Sequence, residues 1–160
     1  MGDRAQQRAA FSRPGVVARM VQAVQIREDI AAWLAQSLSL DAAKTSDIVL
    51  AVNEALANAA EHAYLDSPEP GLMYARAEHD PQLGTLTVWI TDEGRWRAKE
   101  PSTAPNPARG RGLILMRALT DSASVDATAT GTQVQLHWDH IAARPADAAE
   151  PEQDDDRRLA

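Results

Sequence analysis

Cysteine is absent from the 160 residues, which removes disulfide frameworks, thiolate nucleophiles and Cys-ligated zinc or iron–sulfur sites together. Such a composition suits a reducing compartment, and the expected location is the cytoplasm. Long apolar runs are missing too. Nothing approaches the roughly 18 residues needed to span a bilayer, and the opening MGDRAQQRAAFSRPG lacks the apolar core of a signal peptide. Neither export nor membrane insertion is expected. Basic charge is also in short supply, with 16 Lys+Arg against 23 Asp+Glu and a formal charge of -7. Non-specific binding to nucleic acid relies on a basic surface that releases counterions, so no direct nucleic-acid partner is expected.

What remains is ordinary for a globular domain: 44% hydrophobic and 24% charged residues, in a chain long enough for one core and short for two. The two ends are expected to lie outside the fold. Residues 1–10 are polar and unpatterned, a flexible arm. Residues 142–160, AARPADAAEPEQDDDRRLA, carry prolines, small residues and a three-aspartate run that bury too little apolar area to offset the entropy of ordering, so they read as a disordered acidic tail. The folded domain is expected over residues 11–141.

Within it, AVQIREDIAAWLAQSL places Val24, Ile30, Trp33 and Leu34 near one helical face, continued by Leu38, and the following SLD supplies a cap for a second helix. LMYARAEH and TLTVWIT read as strands joined through DPQLG, with Leu86, Val88 and Ile90 facing one way and Thr85, Thr87 and Trp89 the other. A Pro-, Arg- and Gly-rich stretch over residues 94–111 leads to a short helix, LILMRALTDS; SVDATA and TQVQLHW then form a second hairpin around Thr130-Gly131. Strict alternation predicts a sheet wet on one face and covered by helices on the other. The expected fold is α+β, a two-layer sandwich with a mixed, mainly antiparallel sheet.

Three polar constellations interrupt this pattern. In VLAVNEALANAAEHAY, Glu54, Asn58 and His62 recur every four residues and project from one side of a helix. A solvated stripe opposite a core face of Ile48, Val52, Ala55 and Ala59 explains the same spacing. Alternatively, the alanines leave room for a ligand, Asn58 offers a hard oxygen to Mg²⁺, and Glu54 serves as a base toward a hydroxyl. WITDEGRW ends a strand in a turn-forming Asp-Glu-Gly; Asp92 there is also able to accept a hydrogen bond from an exocyclic amine, with Gly94 admitting a close ring. ARGRGLILMRAL places Gly110 and Gly112 just ahead of a helix whose free N–H groups suit phosphate, with Arg109 and Arg111 adding charge, though a linker or simple helix entry has the same composition.

Taken in order, Glu-x-x-x-Asn on a helix, Asp-x-Gly after a strand, Gly-x-Gly-Leu opening a helix and Gly131-Thr132 starting a strand resemble the Bergerat ATP-binding fold of gyrase, Hsp90 and histidine kinases, the GHKL superfamily. Within it, AVNEALANAAEHAY, TDEGRW and GRGLILMRALTDS most resemble the anti-sigma-factor serine/threonine kinases of bacterial stress and sporulation switches. The resemblance spans roughly residues 11–140. It implies Asn58 on Mg²⁺ between the phosphates of ATP, Glu54 as catalytic base, Asp92 on the adenine amine with Gly94 beside it, and Thr132 supporting the adenine site. Gly110, Arg111, Gly112 and Leu113 would fall in the phosphate-binding lid segment, and residues 95–109 would form a lid ordered by the γ-phosphate. His62 would act in packing or support. Two departures are visible: Trp96 stands where many relatives have a second glycine, and Asn53 where many have serine.

The implied activity is ATP-dependent phosphorylation of an anti-sigma-factor antagonist by a protein, expected as a homodimer, that also sequesters a sigma factor. The alternatives are a nucleotide-binding adaptor without useful catalysis, a histidine-kinase-type catalytic domain and a structural protein independent of phosphate. All four histidines, His62, His79, His137 and His140, lie inside the expected ATP domain, which leaves no phosphoacceptor helix for the histidine-kinase alternative.

Overall fold

The computed structural model describes residues 8–61, 69–94 and 107–146, the first four residues of the last segment by backbone alone. In chain order these form β1 (Ala9–Val17), α1 (Met20–Ser37), β2 (Leu38–Ser39), α2 (Ala42–Glu61), β3 (Leu72–Asp80), β4 (Thr85–Asp92), α3 (Pro107–Leu119), β5 (Ser122–Thr128), β6 (Gly131–Trp138) and β7 (Ala142–Ala143). The main sheet has the order β1-β3-β4-β6-β5, and β2 pairs with β7 in a small second sheet. Every pairing among the described strands is antiparallel. The expected α+β two-layer sandwich is present; its sheet, expected as mixed and mainly antiparallel, is antiparallel throughout the described strands, each neighbour arriving by a hairpin or by a return over the helical layer.

Alternation builds the two layers. Met73, Ala75 and Ala77 of β3, Leu86, Val88 and Ile90 of β4, and Val134, Leu136 and Trp138 of β6 are buried. They meet Ile26, Ile30 and Leu34 of α1, Ile48, Val52, Ala55 and Leu56 of α2, and Met116 of α3 in one core. On the other face, Trp89 donates its indole N–H to Gln135 Oε1 at 3.2 Å, and the Arg76 guanidinium stacks 4.1 Å from the Trp89 ring centroid. Polar pairs of this kind suit a sheet surface that keeps water.

α2 begins where its cap was expected. Asp41 Oδ1 accepts the backbone N–H of Lys44 at 2.7 Å, so one of the four orphan donors of the first turn is satisfied. Trp138 performs the opposite service for α3, donating its indole N–H to the Leu119 carbonyl at 2.8 Å.

The structure departs from the sequence reading at the edges of elements. β1 was not anticipated, and it takes in Ala9 and Ala10, assigned above to the arm; Pro14 and Gly15 together oppose Tyr74, a bulge between the Arg13↔Ala75 and Val16↔Met73 pairs. Ala142 and Ala143, assigned to the tail, pair with Ser39 and Leu38. On α1 the buried stripe is Ala23, Ile26, Ile30 and Leu34. Val24 is 37% exposed, one step around the helix from that stripe, while Trp33 packs on Phe11 with ring centroids 6.2 Å apart. Leu38 stands at the C-cap of α1 and carries its apolar face on into the core, as expected. α3 starts six residues before Leu113, with Pro107 in the first helical position that its fixed φ favours. No helix among the described residues is long and apolar enough to cross a membrane.

Candidate functional site

One half of the site stands on α2. Its buried positions Ile48, Ala51, Val52, Ala55, Leu56 and Ala59 fix the rotation of the helix, and Glu54 and Asn58 fall on the shoulder between core and solvent, each half-buried. A fully solvated stripe would leave both in water; instead α3 lies against them. A Cβ on Gly112 would stand 3.2 Å from Glu54 Oε2 and 3.6 Å from Asn58 Oδ1 and Nδ2. Glycine at 112 is therefore what lets the α3 backbone come down onto a carboxylate and an amide at once. The same observation corrects one expectation. Gly110 and Gly112 lie within α3, not ahead of it, so their N–H groups stand at or beyond the end of the first turn, where helix donors cease to be free. Arg111 is exposed, and Leu113 packs against the core.

The other half stands on the sheet. Asp92 ends β4, on the same side of the pleat as Leu86, Val88 and Ile90, and only 8% of it is exposed. Its carboxylate accepts the backbone N–H of Gly94 at 3.0 Å and that of Thr132. Burial pushes the Asp92 pKa up to about 6, against the opposing pull of those two N–H groups. Thr132 faces Asp92 across the β4–β6 ladder and is itself buried. A Cβ on Gly131 would sit 2.2 Å from the Asp92 carbonyl oxygen, closer than any side chain tolerates. The Gly-Thr pair that opens β6 is thus a spacing device: glycine for contact with β4, threonine to brace the carboxylate.

α2 packs on both β4 and α3 and so carries Glu54 and Asn58 beside α3 while covering the sheet that presents Asp92. Glu54, Asn58 and Gly112 are in mutual reach, as are Asp92, Gly94 and Thr132. His62, Trp96 and all of the expected lid 95–109 but its last three residues lie outside the described residues, and those three, 107–109, open α3 instead of belonging to a loop. One contact left no trace in sequence pattern. Arg27 of α1 donates to Asn53 Oδ1 at 3.3 Å, bridging the two helices beside Glu54; residues so far apart in the chain leave no periodic signal.

Chemically, the α2 half offers one carboxylate and one neutral amide oxygen, and the described residues contain no group of three or more His, Cys, Asp or Glu able to hold a metal ion. A lone amide is a poor site for a free divalent ion and a fitting one for Mg²⁺, which keeps several waters and takes most of its remaining ligands from substrate phosphates. The sheet half offers a buried acceptor flanked by glycine. A recess of about 330 Å³ lined by Ala35, Leu38, Leu40, Thr45, Arg144 and Pro145 lies at the other end of α2, about 20 Å along the helix from Asn58, and has no part in this chemistry.

Comparison with known proteins gives two findings. The family described as histidine kinase-like ATPase domain matches residues 16–138, a span that contains every residue of both halves. Among solved structures, the RsbU and RsbW domains of Rv1364c from Mycobacterium tuberculosis match with a TM-score of 0.61 and 25% sequence identity, covering 88% of this chain and 34% of that one. The likeness thus spans about a third of the matched chain.

Proposed function

The chain belongs to the histidine kinase-like ATPase domain family, and from that premise we propose that it is an ATP-dependent protein serine/threonine kinase that controls a sigma factor. The observation that carries this reading is the approach of Gly112 to Glu54 and Asn58: a base and a hard oxygen side by side, under a helix held close by glycine.

Asp92 selects adenine, its carboxylate accepting from the exocyclic amine while Gly94 and Thr132 hold it in place. Asn58 lends its amide oxygen to Mg²⁺, which when bound neutralises the phosphate charge that builds up in phosphoryl transfer. Glu54 takes the proton of an incoming serine or threonine hydroxyl as that oxygen bonds to the γ-phosphorus and ADP departs. Gly112 lets α3 approach the pair, Leu113 anchors that turn to the core, and Gly110 and the exposed Arg111 are assigned to the phosphates on the family resemblance alone.

A protein substrate whose hydroxyl is to meet Glu54 docks beside α2 and α3. The reading assigns that place to an anti-sigma-factor antagonist, which competes with a sigma factor for a homodimeric kinase. Likeness to a chain bearing an RsbW domain supports this assignment. Phosphorylation adds about -1.5 to -2 charges next to acidic Glu54, which expels the modified antagonist and leaves the sigma factor captive. Trp96 at the second-glycine position favours a second reading, an ATP-binding adaptor with little catalysis.

Separating chemistry from binding tests the proposal. Glu54→Gln should keep Mg·ATP affinity and lose phosphotransfer, whereas Asn58→Ala should lose the affinity itself. Candidate antagonists and sigma factors mixed with the protein and Mg·ATP should yield one phosphorylated antagonist by mass spectrometry and one retained sigma factor by pull-down. ATP binding with neither outcome would favour the adaptor.

A further inference from the structure

Gly94, Thr132 and Gly131 account for how Asp92 is held on the covered side of the sheet; the opposite side of the same turn has its own tether. Consecutive residues of an extended chain point to opposite faces, so Glu93, next after Asp92, emerges on the polar face. There the Tyr74 hydroxyl donates to Glu93 Oε1 at 2.7 Å. Tyr74 pairs with Thr91 in the β3–β4 ladder, and its phenol reaches past the end of β4 to hold the first residue of the turn.

The ring has a built seat. A Cβ on Gly15 would fall 2.8 Å from Tyr74 Cε1, 3.0 Å from Cζ and 3.1 Å from the hydroxyl oxygen. Gly15 and Pro14 form the bulge that opposes Tyr74 on β1. One phenol therefore ties the edge strand, its neighbour and the end of β4, and both the bulge and the missing side chain at 15 make space for it.

We propose that the Tyr74–Glu93 hydrogen bond, seated in the Pro14–Gly15 bulge, is a positioning contact for base selection, fixing the strand end from which Asp92 projects. The inference rests on Asp92 being the adenine acceptor. Asp92 and Glu93 share one planar peptide unit, so clamping Glu93 on one face limits rotation of Asp92 on the other. Hydrogen bonds weaken steeply with misalignment, and a tilt too small to disturb the core is large enough to spoil a directional contact with an amine. Tyr74 touches no nucleotide in this scheme. Its partner is a carboxylate, which makes the tether a charge-assisted bond of the stronger kind.

The test compares wild type, Tyr74→Phe, Glu93→Gln and Gly15→Ala for ATP and GTP binding by competition, alongside thermal unfolding. Tyr74→Phe keeps the ring in its seat and removes only the hydroxyl; ATP affinity should fall about three- to tenfold, with GTP affinity and melting temperature unchanged. Glu93→Gln retains an acceptor oxygen but loses the charge, and should fall between wild type and Tyr74→Phe in its ATP-to-GTP ratio. Gly15→Ala displaces the ring and should match Tyr74→Phe in its ATP-to-GTP ratio. An unchanged ratio in Tyr74→Phe overturns the proposal, and so does an equal loss for both nucleotides together with a lowered melting temperature, which is what a purely structural contact gives. A wild-type protein indifferent to the base would overturn the Asp92 reading first, and this inference with it; that outcome is read in the wild type alone.

Discussion

Replacing Asp92 by asparagine should make the empty protein more stable at neutral pH. An aspartate raised from 3.8 to about 6 on folding binds its proton more tightly in the folded state, so stability is greatest below the unfolded pKa and falls as pH rises through the folded one. The shift of about two units corresponds to roughly 3 kcal/mol lost across that window. Asparagine carries no charge to desolvate, but its amide NH₂ meets one of the two N–H groups that Asp92 now accepts, a mismatch costing about 1 kcal/mol. The variant should therefore lead wild type by about 2 kcal/mol at pH 8, or about 4–8 °C in melting temperature for a domain of this size, and trail it by about 0.5 kcal/mol at pH 4, where the unfolded carboxyl is already half ionised. Urea unfolding of both proteins from pH 4 to pH 8 measures the difference directly, and contributions from other carboxylates, such as Asp80 with its lowered pKa, cancel in the subtraction. A difference that stays flat across the range would refute the reasoning. The same substitution should narrow the preference for ATP over GTP, so the gain in stability comes with a loss of selectivity. Wild-type ATP affinity should also decline below about pH 6, as Asp92 takes up its proton.

Three further substitutions separate close approaches by what they meet. Gly131→Ala drives a methyl to 2.2 Å from the Asp92 backbone carbonyl; backbone cannot step aside, and the expected loss is about 3 kcal/mol or more in denaturant unfolding. Gly112→Ala meets the movable end of Glu54 at 3.2 Å, and alanine favours a helix over glycine by up to about 1 kcal/mol, so stability should hold or rise while phosphotransfer falls about tenfold through the displaced base. Asp41→Ala removes the α2 cap and should cost about 1 kcal/mol by thermal unfolding with nucleotide affinity unaltered.

Sequence pattern disclosed the elements in which one periodicity dominates. The alternation of Leu86, Val88 and Ile90 and the helical spacing of Ile48, Val52, Ala55 and Ala59 have a single physical solution each, and those side chains are buried as expected. β1 escaped notice because Pro14 and Gly15 break its alternation, and its pairing partner β3 lies far along the chain. Val24 misled for a different reason: α1 carries apolar residues on two adjoining faces, and only tertiary packing distinguishes the stripe that meets the sheet. The glycines of α3 read as an entry loop because glycine is a poor helix former; contact with α2 outweighs a propensity deficit of about 1 kcal/mol each. In the candidate site, the motif spacing placed Glu54 and Asn58 on one side of one helix, but nothing local announced that Gly112 would meet them, or that Gly131 would touch Asp92.

The strand order also governs how the molecule comes into being. Ala9 finds its partner only at His79 and Val17 only at Leu72, so during synthesis the first strand emerges well before anything it can pair with, while α1 and α2 can associate from neighbouring sequence. Until β3 follows, β1 is a loose edge with open hydrogen-bonding groups, the kind of segment through which nascent chains join one another. Pro14, which offers no N–H and kinks the strand at its bulge, interrupts that edge. The residue that obscures β1 in the sequence is thus also a safeguard for chains still under construction.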